Sequence, residues 1–310
     1  MTDLATLVRV SRLYYELGET QERIAALVGV TRPQISRLLK EARATGVVDI
    51  RIVDRAEVES PAAQALRERF GLRAVHLAPR LEGAADVARR RVGRLAGQVL
   101  QGAIRDGMVI GIGDGVSVSS IADELSADGS DVDATVVPLC GGFWRPGSGL
   151  EPFRRIADAL GATAYGLHAP GLLDDTAVRD ALLAHPGVRT VVDLWSRLDL
   201  AIFGIGGPSW SEASVGEDAL AEIRAGRAVG EVLIAPFSLD GDFVSESLRR
   251  RTVAFDPRGL AGVPLSIAVA DGPGKVGPIL GALRAGVVNV LVTDAPTADA
   301  VLGLADEAAA

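Results

Sequence analysis

At 310 residues, with 48% apolar side chains, the chain has material for two domains and a sizeable core, which excludes wholesale disorder. The longest apolar runs, 109–112 and 287–292, are far too short to span a bilayer, and a single cysteine, Cys140, excludes an internal disulfide. The formal charge of −8 argues against a polyanionic partner until it is divided. Residues 1–55 hold nine basic and seven acidic side chains, +2, which leaves −10 on the rest. A basic end on an acidic body turns toward phosphates, because Lys and Arg displace their condensed counterions. The N-terminus carries Asp3 and lacks the basic start and apolar core of a secretion signal, so a cytoplasmic location is expected.

In chain order, Leu4, Leu7, Val8, Val10, Leu13, Tyr14 and Leu17 recur at helical spacing, and Gly18 ends the first helix. Thr20 can cap a second, 21–28, whose buried side is Ile24, Ala25, Leu27 and Val28. Gly29 and Val30 form a turn. Thr31-Arg-Pro-Gln34 fits a capping box, with Pro33 tolerated in the first turn and Gln34 reaching back. The third helix then runs to about residue 44, burying Ile35, Leu38 and Leu39, and the alternation over 47–53 reads as a strand, a wing.

Two short helices joined by a tight Gly-containing turn make a helix-turn-helix, whose second helix can enter a major groove. On that helix Arg32, Gln34, Ser36, Arg37, Lys40 and Arg43 lie opposite the apolar stripe. Arg can fork to guanine and Gln to adenine, while Ser, Lys and the cap residues Thr20, Gln21 and Thr31 suit phosphates. A surface helix with solvated charges, or a dimerisation module, would explain the charges alone. Length, cap, turn and polar face together favour DNA, so residues 1–54 are expected to be the DNA-binding domain and 55–310 a second one.

The runs from Val10 to Gly18, Thr20 to Ala26 and Gly29 to Arg43 resemble the SorC family of bacterial sugar-responsive transcription regulators. The resemblance implies a winged head on a larger α/β body, a Rossmann-like, mostly parallel sheet domain similar to the sugar-phosphate isomerases. The body's own pattern agrees. After a helical stretch over 57–70, broken by Pro61, β-rich runs at 74–78, 109–113, 134–139, 164–167, 200–205, 265–270 and 288–293 alternate with helical ones. The helical runs are 86–105, 119–125, 153–160, 176–184, 218–225 and 278–285. Apolar strands separated by helices predict a parallel sheet covered on both faces, with ligands bound beyond the strands' carboxyl ends.

Gly111-Ile-Gly-Asp-Gly-Val-Ser117 follows one such strand and opens a helix, where free backbone N–H groups favour an anion. Val116 stands where a dinucleotide fingerprint needs its third Gly. The run 272–276 lacks P-loop spacing, and 115–119 ends on Ser where a nucleophile elbow needs Gly. These departures point away from NAD, ATP and serine hydrolysis, and no cofactor is expected. His76, His168 and His185 show no ligand spacing with each other or with Cys140, which disfavours a metal.

The resemblance supplies a better reading. The family's ligand-phosphate loop matches Gly113, Asp114, Gly115, Val116 and Ser117, with Ser117 in the hydroxyl position. Further matches in order are 136–142, with Cys140; 168–170; 199–207, with Gly206; 228–231, with Glu231; and 274–275 and 288–294, with Lys275. By analogy Glu231 accepts from sugar hydroxyls and Lys275, one of only two lysines against thirty arginines, sits near the sugar or its phosphate. A solvated Glu231 and a chance surface Lys275 are the competing explanations. Asp114 replaces the family's large apolar residue, and Cys140 a basic residue found in some members. A carboxylate beside an anion site is repulsive, so the expected effector carries at most one phosphate and can be a free sugar or polyol.

The expected whole is a transcription regulator of a sugar or polyol catabolic operon, binding operator DNA as a homodimer or homotetramer under effector control. An isomerase- or deaminase-like enzyme with a DNA head is the alternative; no Asp/Glu–His or paired-acid constellation stands out for it. A scaffold without a ligand is disfavoured by the Gly-rich loops after strands.

Overall fold

The structure, a computed structural model, describes residues 3–48, 60–79, 85–125, 132–142 and 152–308. Two compact units divide the chain, Met1–Val58 and Glu59–Ala310.

In the first unit Asp3 caps helix α1 (Leu4–Ser11), which continues through a π-helical turn, Arg12–Glu16, closed by Leu17 N–H to the Arg12 carbonyl at 3.1 Å. Helix α2 (Gln21–Val28) begins at Thr20, whose Oγ1 accepts from Arg23 N–H at 3.2 Å, and ends at Gly29 with φ +77°, a left-handed stop that a side chain would resist. Helix α3 (Arg32–Ala44) follows. Val10, Ile24, Ala25, Ile35 and Leu39 form the shared core. The expected stripes need two corrections. Leu4, Val8 and Leu17 face outward with 63, 36 and 69% exposure, and so does Leu27 with 50%, because a three-helix core this small buries only two or three apolar side chains per helix. Of the expected wing strand, residues 49–53 lie outside the described residues.

The second unit opens with α4 (Pro61–Phe70). Pro61 begins this helix rather than breaking it, since the first turn needs no N–H from that position. There follow β1 (Ala74–Ala78), α5 (Ala85–Ala103), β2 (Val109–Ile112), α6 (Val116–Glu124), β3 (Thr135–Pro138), α7 (Pro152–Leu160), β4 (Thr163–Ala164), α8 (Thr176–Ala184) and α9 (Pro186–Leu194). The remainder is β5 (Leu200–Gly204), α10 (Glu212–Val215), α11 (Glu217–Ala225), β6 (Ala228–Val232), β7 (Ala235–Ser238), α12 (Glu246–Arg250), β8 (Leu265–Val269), α13 (Val276–Arg284), β9 (Val290–Asp294) and α14 (Ala295–Glu307).

Seven strands make one wholly parallel sheet in the order β1-β9-β8-β5-β2-β3-β4, and β6 and β7 form a separate antiparallel hairpin. Side chains alternate between two cores. Val109, Ala201 and Phe203 face a layer that includes Ile279, Leu280 and Val301 of α13 and α14. Ile110, Ile112, Leu200 and Ile202 face Val92, Ile121 and Ile156 of α5, α6 and α7. The inner strands β2 and β5 are covered on both faces and apolar throughout, as a parallel sheet requires, whereas the edge strand β4 is exposed. From β2 the chain builds outward through β3 and β4, then returns to place β5 on the other side of β2. The order reverses there, and such a reversal opens a crevice at the strands' carboxyl ends.

Candidate functional site

On α3 the polar residues Arg32, Gln34, Ser36, Arg37, Lys40 and Arg43 are all exposed, whereas Ile35, Leu39 and Ala42 are buried. The cap forms by Gln34 reaching back: its Oε1 accepts from the Thr31 N–H at 2.8 Å and from the Thr31 hydroxyl at 2.9 Å. A bidentate reading of adenine needs the same Oε1 as acceptor; in this conformation Oε1 is turned to Thr31 and the Nε2 donors remain. Thr20 likewise spends its oxygen on the start of α2, and Gln21 is half-buried beside it.

In the body the expected effector residues gather at the switch point. Gly113 follows β2 and donates its N–H to the Ile202 carbonyl at 2.8 Å; a Cβ there would lie 2.9 Å from Phe203 Cβ, so the loop can hug β5 only as glycine. Gly115 takes φ +119° and precedes α6, Val116 is 59% exposed at the helix opening, and Ser117 is half-buried. The Asp114 carboxylate accepts from the Gly115 N–H at 2.8 Å. One backbone donor of this loop is thus taken by the protein's own carboxylate. Cys140 is buried past the end of β3, in a bridge with Ala254, and lies one strand over from the β2 loop.

Past β5, Gly206 and Glu231 of β6 exchange backbone hydrogen bonds of 2.8 and 3.1 Å, which docks the hairpin on the end of the sheet. The Glu231 side chain lies across Gly206, where a Cβ would meet its Cγ at 2.5 Å, and Glu231 Oε2 accepts from Trp210 Nε1 at 2.8 Å. Lys275 comes from the loop after β8 and donates from Nζ to the Ile205 carbonyl at 2.7 Å. Burial lowers its pKa, helped by like-charged Arg89, against the opposing pull of Glu231 and Asp271. Burial also raises the pKa of Asp271, helped by nearby Asp294, while Arg89 and Lys275 oppose the rise. The Lys275 and Glu231 side chains are therefore placed components of one charge cluster.

Sequence reasoning missed three members of that cluster. Trp210 is one of three tryptophans without a motif, Arg89 is one arginine among many on an amphipathic helix, and Asp271 adjoins the 272–276 run, whose P-loop comparison and family match at 274–275 both leave it out. His168 is exposed, its ring beside Gly166. Among the described residues no group of His, Cys, Asp and Glu could hold a metal, and no helix is long and apolar enough to cross a membrane.

Residues 54–303 match the family model described as "Putative sugar-binding domain". The sorbitol operon regulator of Klebsiella pneumoniae is 28% identical over 312 residues, 97% of this chain and 98% of the relative. The transcriptional regulator LsrR of Enterobacter sp. (strain 638) is 30% identical over 315 residues, 98% of this chain and 95% of that one. The crystal structure of the full-length Klebsiella regulator SorC superposes with a TM-score of 0.79 at 26% identity, covering 97% of this chain and 99% of that one.

Proposed function

This chain belongs to the SorC family of sugar-responsive transcriptional regulators, and from that premise we propose that its acidic body is the input and its basic head the output of one ligand-controlled switch. The observation that carries the proposal is the convergence of the loop 113–117, Gly206, Glu231 and Lys275 at the sheet's switch point. The site residues proposed for the effector are Gly113, Asp114, Gly115, Val116, Ser117, Cys140, Gly206, Glu231 and Lys275. Those proposed for DNA are Thr20, Gln21, Thr31, Arg32, Gln34, Ser36, Arg37, Lys40 and Arg43, of which Thr20, Thr31 and Gln34 also form the helix caps.

The effector is a neutral sugar or polyol, or one bearing a single phosphate. Asp114 supports this by occupying a backbone donor of the anion loop with its own carboxylate. A regulator is favoured over an enzyme because the relatives named above are regulators, and Lys275 is hydrogen-bonded to a backbone carbonyl rather than poised with a base. Two heads are needed to read a two-fold symmetric operator, so the chain works in the cytoplasm as a dimer or tetramer. The outward Leu4 and Val8 on α1 suit contact with a second copy. A thermal-shift screen of sugars, polyols and their mono- and bisphosphates on the full chain tests the input half. Stabilisation by at least one neutral or singly phosphorylated member is expected, and stabilisation by bisphosphates alone would refute it.

A further inference from the structure

The acids around the switch point differ in how their oxygens are used. Glu231 accepts from Trp210. Asp294 accepts from the Gly272 N–H at 3.1 Å, from the Thr297 N–H at 2.9 Å and from the Thr297 hydroxyl at 2.6 Å. Asp271 is half-buried like them, yet it has no hydrogen-bond partner among the described residues. An ionised carboxylate has room for about four accepted hydrogen bonds, and in a half-buried Asp271 that capacity faces the crevice, open to water or to a ligand's hydroxyls.

Its placement is fixed. Asp271 follows β8, the strand next to β5, so it emerges at the same edge as Ile205 and Gly206. Gly272, at φ +91°, is pinned by its N–H to Asp294 and to the Thr297 hydroxyl at 3.0 Å, which holds the loop from behind. Four residues on, Lys275 folds back onto the end of β5. The lysine interacts with carboxylates on both sides, Glu231 from the hairpin and Asp271 from the loop, while Arg89 of α5 interacts with both Asp271 and Lys275. The charges are thus interleaved, Arg89 and Lys275 against Asp271 and Glu231.

We infer that Asp271 is a specificity-determining residue of the effector site, accepting hydrogen bonds from hydroxyls at the end of a sugar or polyol opposite the end read by Glu231. The inference rests on the proposed effector site above and adds a chemical class to it. A carboxylate only accepts, so its natural partners are hydroxyl donors, and an unshared phosphate oxygen beside it is repelled. With Asp114 guarding the loop after β2 and Asp271 the loop after β8, a phosphate meets a carboxylate at either end of the crevice. A neutral polyhydroxylated chain finds an acceptor at each end and the Lys275 donor between them.

The test is calorimetric titration of the full chain, wild type and Asp271→Asn, with pentitols, hexitols, hexoses and the monophosphate of each. Asparagine keeps the size and removes the charge. Wild type is expected to prefer the neutral member of at least one pair, and D271N to weaken that neutral ligand by roughly 10- to 100-fold, as loss of a hydrogen bond to a charged group does. The neutral-to-phosphate preference should shrink with it. Melting of ligand-free D271N at or above the wild-type temperature excludes simple misfolding; should D271N not fold, Asp271→Ser takes its place. If wild type binds a neutral ligand and neither variant changes its affinity or preference, the role of Asp271 is overturned and the site stands. A wild-type preference for the phosphate in every pair overturns the inference as well. No binding of any compound to wild type overturns the site and the inference together.

Discussion

The head and the body of this molecule solve the same problem, presenting polar groups from an apolar scaffold, at different sequence distances. The head's core residues, Val10, Ile24, Ala25, Ile35 and Leu39, are close together in sequence, and its reading face lies on one helix. The proposed effector site draws on 113–117, 205–207, 231 and 271–275, brought together only when β2, β5 and β8 pair side by side. Helical periodicity is a local rule, so it specifies the first kind of site outright. The second depends on strand order, which local patterns leave open.

The largest effect that would test this contrast is selective loss of the head. Ile35 is fully buried in a small core, and truncation of such a residue costs about 2–5 kcal/mol, of the order of a small module's whole stability. Ile35→Ala should abolish DNA binding in a gel-shift while leaving the body's effector affinity intact by calorimetry. A subtler break is Arg37→Ala, expected to weaken operator binding by about 1–3 kcal/mol if it reads a base, with the loss confined to some operator sequences. Lys40→Ala should instead weaken all sequences evenly and flatten the salt dependence by about one unit of slope, as a phosphate contact does.

In the body the corresponding change is Lys275→Met. The lysine's burial lowers its pKa, so its charge is a cost to the fold that the apolar replacement removes. The variant should lose effector-induced stabilisation in a thermal shift, yet melt no lower than wild type without ligand. Asp271 gives a pH signature of defined sign. Its pKa is raised by burial, so across the window from the ordinary carboxylate value up to the raised one the folded state binds more protons than the unfolded chain. This contribution to stability is fully present below the window and is lost as pH rises through it; Asp271→Asn should remove that component from a chemical-denaturation series over pH. The smallest expected effect is at the hairpin tip, where Ile234→Asn should raise stability by roughly 1 kcal/mol by relieving a left-handed β-branched residue.

That tip also shows where the sequence falls silent. Leu233 and Ile234 both take positive φ, 49° and 69°, in a two-residue turn that ordinarily calls for Asn and Gly. Without that turn chemistry the β6–β7 hairpin, which carries Glu231, is invisible in the residue pattern, and Glu231 could be named only through family resemblance. Helix α9 and helix α14 escaped notice too, although Pro186 at the start of one and Asp294 with Pro296 at the start of the other are ordinary start signals. The strands of the main sheet were legible as apolar runs, and Gly113 and Gly115 as a loop between strand and helix. The expected reading of adenine by Gln34 competes with its cap, because in this conformation Oε1 accepts twice from Thr31. Asp271 and Arg89 have no local pattern at all, since their electrostatic interaction arises only in the folded domain.

The central claim is that occupancy of the body alters DNA binding by the head. It is tested most directly by fluorescence anisotropy of the full chain on a labelled duplex from its own upstream region, titrated with and without a saturating sugar or polyol that shifts its melting temperature. Linkage requires that the factor by which ligand changes operator affinity equal the factor by which operator changes ligand affinity. The account predicts such a matched change, of either sign, in wild type and its absence in Lys275→Met. Identical operator affinity with and without a ligand that demonstrably binds the body would contradict it.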